Sequence, residues 1–248
     1  MPSLTVENYV KSIFNICLTE ESQRAATGQL ATALSVSPGT VTSMLKTLSE
    51  AGLATYTPYE GVRLTPSGNE LALRILRRHR LIELFLAQTL DLDWDQVHED
   101  AEHLEHVISD FLVDRIDEYL GHPKYDPHGD PIPTADGHLV NRESESLVDC
   151  QPGTRFRLAR VMDQSSEFLR YLRQAGFSLG IEGRVVANRP EAGIVTVELN
   201  DREVTLGREA AQKLQVTTGK AEPRPSAVPA PAAASTTQPA GQQTSGVG

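Results

Sequence analysis

Between His98 and Asp110 the chain reads HEDAEHLEHVISD, which packs three histidines and five carboxylates into thirteen residues. Wound as a helix at about 100° per residue, His98, Glu102, Glu105 and His106 fall within about 100° of one another. Carboxylates held that close repel and push one another's pKa upward, and a divalent cation relieves both effects. Upstream, His79 and Glu83 repeat the i, i+4 arrangement on a second helical stretch. Two neighbouring helices thus offer three imidazoles and three carboxylates on facing stripes. A donor set of oxygen and imidazole without thiolate suits Mn²⁺ or Fe²⁺, with Zn²⁺, Co²⁺ and Ni²⁺ as competitors. One such stripe alone reads equally as a solvated acidic face; two on adjacent helices favour the ion.

The charge distribution isolates this region. The 248 residues carry a net charge of −10, but residues 1–80 hold 8 basic and 6 acidic side chains, residues 81–150 hold 3 and 18, and residues 151–248 hold 12 and 9. The acidity is one central block between mildly basic flanks, so the overall sign does not exclude a nucleic-acid partner for the first segment. No apolar run approaches a membrane span and no greasy leader opens the chain, so a cytosolic protein is expected, with no membrane partner. Cys17 and Cys150 are far apart and in no metal-binding spacing; they read as reduced thiols.

The elements that must position these residues follow from periodicity and capping. Val6, Tyr9, Val10, Ile13, Phe14 and Cys17 recur at helical spacing over about 5–19. Thr27 can cap a short helix containing Leu30, Ala31 and Leu34. Ser37 can cap a second one, with Pro38 at its first position, where a missing N–H costs nothing. Val41, Met44, Leu45 and Leu48 give that helix a buried side, and Gly52 ends it. Two short helices joined by a tight turn form a helix-turn-helix pattern. The following LATYTPYEGVRLTPSG alternates around Tyr59-Glu60-Gly61 as a hairpin, or wing. Thr65-Pro66 then starts a helix reaching about Leu90, and a further single helix is predicted over about 94–120, packing through Val97, Ala101, Leu104, Ile108 and Phe111. Residues 121–150 are rich in Gly, Pro, His and Asp and read as an ordered loop followed by a linker. From Gly153 to Val216 short β-runs surround one helix near 165–175, which predicts a small barrel. Residues 217–248 have the composition of a disordered tail.

In a winged helix-turn-helix the second helix enters the major groove, its first residues nearest the base edges. Those are Ser37, Pro38, Gly39, Thr40 and Ser43: small residues, with hydroxyls able to bond phosphate or base, and a Thr40 methyl suited to thymine. Lys46 one turn on suits a phosphate, and Arg63 in the wing suits the backbone or minor groove. The modest positive charge implies modest non-specific affinity.

The order of these parts, a winged helix, then His79-x-x-x-Glu83, then His98-x-x-x-Glu102-x-x-Glu105-His106, then GDPIP in a loop, resembles the diphtheria toxin repressor family of metal-dependent transcriptional regulators, which includes manganese transport regulators. The resemblance covers about residues 3–216. It implies a mainly α fold with a small β part: a DNA-binding winged helix-turn-helix over 1–70, a helical metal-binding and dimerisation domain over 71–140, a linker over 141–152, and an SH3-like β-barrel (ferrous-transport-A-like) over 153–216. It also implies a homodimer that binds operator DNA when loaded with metal and represses metal-uptake genes, with no small-molecule substrate. By the same resemblance a primary site would use His79, Glu102, Glu105 and His106 with Asn8 from the first helix. Glu102 stands where iron sensors carry cysteine, and Asn8 where iron sensors carry methionine and manganese sensors aspartate. Harder donors at both positions favour manganese over iron. Lys11 stands where some manganese regulators have a glutamate, which argues against a two-manganese arrangement. Glu83 and His98 would serve an ancillary site, with Asp126, His128 and Asp163 as candidate additions.

Two other classes compete. A di-metal helical-bundle enzyme wants Glu-x-x-His on each of two helices; the chain offers only Asp95-x-x-His98 and Asp100-x-x-His103, and no HExxH. A winged-helix regulator sensing something else would leave the acidic stripes merely solvated.

Overall fold

The computed structural model describes residues 4–20, 22–140 and 142–218. Helix α1 (Leu4–Thr19) buries Tyr9, Val10 and Ile13 against α2 (Thr27–Ala33), α3 (Pro38–Glu50) and the hairpin β1 (Ala54–Thr57) and β2 (Gly61–Leu64). The capping logic is visible atom by atom. Ser37 Oγ accepts from the Thr40 N–H at 3.2 Å and Thr65 Oγ1 from the Gly68 N–H at 3.1 Å, each with proline at the first helical position. At α2 the expected cap is displaced: Gln29 Oε1 accepts from the Ala26 N–H at 2.8 Å, and Thr27 is already inside the helix. Gly68 is required because a Cβ there would lie 2.0 Å from the Leu53 carbonyl oxygen, where the wing runs back against α4.

Helix α4 (Pro66–Thr89) is the spine of the middle region; its buried residues include His79 and Glu83. The single helix predicted over 94–120 is instead two, α5 (Val97–Leu104) and α6 (Asp110–Tyr119). The break follows from Ser109, whose side chain accepts from the Leu112 N–H and caps a new helix. As a result the expected packing face divides. Val97 and Ala101 are fully buried beside Ile82 and Leu86, whereas Leu104 and Phe111 are exposed.

After a loop through residue 140, β3 (Glu145–Ser146), β4 (Arg155–Val161), β5 (Glu182–Arg189), β6 (Ile194–Leu199), β7 (Arg202–Gly207) and β8 (Leu214–Thr218) form one antiparallel sheet in the order β3-β8-β4-β5-β6-β7. Register shifts at Leu158/Arg160 and Val185/Ala187 are bulges of the kind that bend a sheet into a barrel-like wrap. Helices α7 (Ser166–Gln174) and α8 (Arg208–Gln212) contribute Leu169, Leu172 and Ala211 to its core. The stretch read as a linker over 141–152 differs from that expectation: Glu145–Ser146 pairs with β8, and Leu147, Val148 and Cys150 are buried in the same core. The tail reading falls beyond Thr218, outside the described residues, except that Thr217 and Thr218 belong to β8. Among the described residues no helix is long and apolar enough to cross a membrane.

Candidate metal centre

Among the described residues, three groups of ligand-bearing side chains form around α4, each with its ligand atoms within 4.8 Å of one another: His79, Glu83 and His98; His79, Glu102 and Glu105; and Glu83, Asp126 and His128. His79 joins the first two. Its Nε2 lies 3.0 Å from Glu83 Oε1 and 3.2 Å from His98 Nδ1, while its Nδ1 lies 2.7 Å from Glu105 Oε2 and 3.9 Å from Glu102 Oε1. Glu83, four residues on, joins the first to the third: His98 Nδ1 is 3.0 Å from its Oε1, and His128 Nδ1 is 3.7 Å from its Oε2.

His106 reaches the centre's far edge. Its Nε2 is 3.3 Å from Glu105 Oε1, and its Nδ1 is 2.7 Å from Glu7 Oε2. The first-helix carboxylate beside His106 is therefore Glu7, which sequence reasoning passed over in favour of Asn8. Asn8 Oδ1 is buried without a hydrogen-bond partner. Lys11, one turn further along α1, places its ammonium 2.6 Å from Glu102 Oε1 and 2.7 Å from Glu105 Oε1. Glu7, Asn8 and Lys11 recur at i, i+1 and i+4, the spacing that puts them on one helix face. That spacing was the available signal for Glu7.

Asp126 and His128 are held by the loop. Asp126 Oδ1 accepts from the backbone N–H groups of His128 and Asp130, at 2.8 and 2.9 Å. His128 Nε2 lies 2.8 Å from the Trp94 carbonyl, and its ring stacks on Trp94 at 19°. The loop is strapped to the sheet: the Val161 N–H donates to the His128 carbonyl at 2.9 Å, and Gln164 Nε2 donates to Asp130 Oδ2 at 2.6 Å. Gly129, at φ +89°, lies so close that a Cβ would sit 2.0 Å from the Ala159 oxygen. Asp163 joins none of the three groups; its carboxylate takes Lys213 Nζ at 2.7 Å and the Ser165 N–H at 3.0 Å.

The electrostatics describe a centre short of positive charge. Burial works against the charged form of His79, but Glu83 and Glu105 outweigh it and raise its pKa to about 9. His128 is likewise raised to about 9, burial being overcome by Glu83 and Asp126. Burial would raise Glu83, yet the imidazoles of His79, His128 and His98 hold it well below the usual carboxylate range. Asp126 goes the other way, pushed up to about 7 by burial and by the neighbouring Asp130 and Glu83. Metal chemistry fits what remains unsatisfied. His79 Nδ1, Glu83 Oε2, Glu105 Oε2, Asp126 Oδ2 and His128 Nδ1 are all buried without a hydrogen-bond partner. His79 Nδ1 and Glu105 Oε2 face one another at 2.7 Å, a charged contact while the imidazole carries its proton. Loss of the imidazole proton would turn that contact into two converging lone pairs, the arrangement that a shared cation satisfies.

The residues expected to read DNA are all exposed. Ser37, Pro38, Gly39, Thr40, Ser43 and Lys46 are exposed along the start and outer face of α3, and Arg63 is exposed on β2. Ser37 Oγ also lies 2.8 Å from Thr40 Oγ1, so these two hydroxyls form one polar tip.

Comparison with known proteins agrees with this geometry. Residues 1–62 match the family model described as iron dependent repressor, N-terminal DNA binding domain. Residues 65–134 match iron dependent repressor, metal binding and dimerisation domain, and residues 145–218 match the FeoA domain. The diphtheria toxin repressor of Corynebacterium efficiens is 31% identical over 222 residues, covering 86% of this chain and 94% of that protein. The regulator MntR of Lysinibacillus sphaericus is 35% identical over 116 residues, 47% of this chain and 81% of that one. Among solved structures, a manganese-dependent transcriptional repressor in complex with manganese superposes with a TM-score of 0.78 at 39% identity, over 86% of this chain and 99% of that chain. With its winged helix, its buried imidazole–carboxylate centre and its FeoA module in this order, the chain belongs to the diphtheria toxin repressor family of metal-dependent transcriptional repressors.

Proposed function

We propose that this repressor responds to manganese and controls genes of metal uptake from the cytoplasm, as a homodimer on operator DNA. The observation that carries the manganese reading is the donor set. The three groups around α4 contain only carboxylates and imidazoles. Cys17 Sγ instead faces the Val62 carbonyl at 3.8 Å, and Cys150 Sγ faces that of Ser146 at 3.8 Å. Hard oxygen and borderline nitrogen donors without sulfur suit Mn²⁺ better than softer competitors. A manganese-dependent repressor at 39% identity supports the same reading.

In this reading His79, Glu102, Glu105 and His106 hold the primary ion, with Glu7 and Asn8 on α1 as its first-helix neighbours. Glu83 and His98, with Asp126 and His128, hold the ancillary one. Bound metal supplies the positive charge that these buried acids lack. The chain's own part is geometric: α1 belongs to the DNA-reading region, α4 and α5 to the centre, so Glu7, through His106, spans the two. Fixing α1 on α4 and α5 fixes the separation of two recognition helices in a dimer, which must match a turn of B-DNA or a multiple. Val107 and Phe111 are 78% and 76% exposed beside the half-exposed Leu112, an apolar surface suited to a second copy.

The test is a panel of DNA-binding curves under anaerobic conditions, with DNA selected from a random pool by the Mn²⁺-loaded protein. Binding at lower free Mn²⁺ than free Fe²⁺ is expected. Equal affinity in chelator would remove metal control, and response at lower Fe²⁺ would make the protein an iron sensor, as the descriptions of its family models suggest.

A further inference from the structure

Lys11 is a buried cation placed where a metal ion would be sought. Its side chain is 11% exposed and Glu105 is fully buried. Its ammonium contacts Glu102 Oε1 at 2.6 Å and Glu105 Oε1 at 2.7 Å, and both glutamates belong with His79 to one of the ligand groups. These are charge-assisted contacts at the short end of their range. We propose that Lys11 is a displaceable internal counter-ion. It holds Glu102 and Glu105 together while the protein is metal-free, and it competes with a divalent ion for the same oxygens, which raises the metal concentration at which the repressor responds. The proposal rests on the metal-centre reading above.

The physical case is one of charge and reach. Glu105 has no solvent of its own, and its other oxygen already faces His79. Without Lys11 only imidazoles would face the pair, His106 Nε2 at 3.3 Å from Glu105 Oε1 among them, and the half-buried Glu102 would repel the buried Glu105. Lysine suits a removable counter-ion, because its ammonium is a strongly hydrated point charge on a flexible stem, unlike the planar fork of arginine. Glu102 is 35% exposed, so the ammonium has a wet edge through which to leave. An ordinary structural ion pair would also tie α1 to α5, but its loss would never tighten metal binding. An arrangement competent for metal only about one-tenth of the time weakens the apparent affinity about tenfold.

The experiment titrates Mn²⁺ into the full chain by calorimetry for wild type, Lys11→Met, Lys11→Arg and Glu105→Gln, with thermal melts in chelator. Lys11→Met is expected to bind Mn²⁺ about tenfold more tightly or better and to melt lower in chelator. Lys11→Arg, which keeps the charge, is expected to bind no more tightly than wild type. An unchanged or weaker Mn²⁺ affinity in a Lys11→Met protein with wild-type helicity overturns the proposal. If that variant unfolds in chelator, its affinity is read by competition with a fluorescent chelator from the Mn²⁺-folded form, against the same threshold. Glu105→Gln separates the two levels of the argument. Wild-type Mn²⁺ binding there removes the metal centre itself, whereas loss there with unchanged Lys11→Met affinity removes only the counter-ion.

Discussion

The helical region and the sheet module both have apolar cores but differ in what else they bury. In the module, Phe156, Leu158, Leu169, Leu172, Val185, Val195, Val197, Leu206, Leu214 and Val216 form a single apolar cluster. Every buried charged residue among those described lies instead between Glu7 and Asp130. Burying apolar surface stabilises a fold unconditionally. Burying carboxylates stabilises nothing until something positive faces them. The module's core is therefore indifferent to cations, whereas the acidic centre inside the helical region is sensitive to which cation faces it.

The strongest way to break that contrast is to remove one acid from the cation-sensitive half. Glu105→Gln keeps the volume but deletes the charge that His79, His106 and Lys11 share. Metal-induced DNA affinity is expected to fall by on the order of a hundredfold or more, at least the loss seen when partners of metal ligands are removed. Gel-shift titration against free Mn²⁺ reads this, and a response within threefold of wild type would take Glu105 out of the centre. The matching change in the indifferent half is Leu172→Ala. Leu172 is fully buried in the sheet module's core, so about 2–5 kcal/mol of stability should be lost. Urea melts measure the loss, and calorimetry on the folded variant should return the wild-type Mn²⁺ affinity. A tenfold weaker affinity would show that the two halves are not separable in this way.

How much of this was legible in the sequence follows the same division. The cap-plus-proline signals held because their physics is local: Ser37-Pro38 and Thr65-Pro66 cap helices by bonds to residues three positions on, whereas Thr27, with no proline after it, lies inside its helix. The His79/Glu83 and His98/Glu102 spacings were readable because helical periodicity alone sets them. Long-range pairings were not. Glu7 meets His106 and Lys11 meets Glu105 across more than ninety positions, and no periodicity encodes such a contact. The break at Ser109 was hidden because HEDAEHLEHVISD keeps its helical rhythm through a residue that can also begin a new helix. Strand β3 was hidden for another reason: Glu145 and Ser146 are polar and join the sheet through pairing with Val216 and Gln215.

The smallest expected effect is also the one that sharpens the comparison, because pH should move the two properties of the cation-sensitive half in opposite directions. His79 and His128 are raised from an ordinary 6.5 to about 9 by Glu83 and its neighbours, against the pull of burial. In the metal-free protein each imidazolium–carboxylate contact therefore contributes stability that is fully present below pH 6.5 and lost as pH rises through about 9. A metal-bound imidazole must be neutral, so binding expels those protons, and Mn²⁺ affinity should climb over the same window. The limit is about tenfold per pH unit for each proton displaced. Urea melts in chelator and Mn²⁺ titrations from pH 6.5 to 9 should thus slope oppositely. Parallel slopes would mean that the imidazoles keep their protons when the ion is present and so are not its ligands. The module offers the internal control, because its core contains no buried imidazole or carboxylate among the described residues. With Trp94, which stacks on His128, replaced by phenylalanine, the fluorescence of a tryptophan placed at Phe156 should hold its urea midpoint across the window while the helical signal shifts.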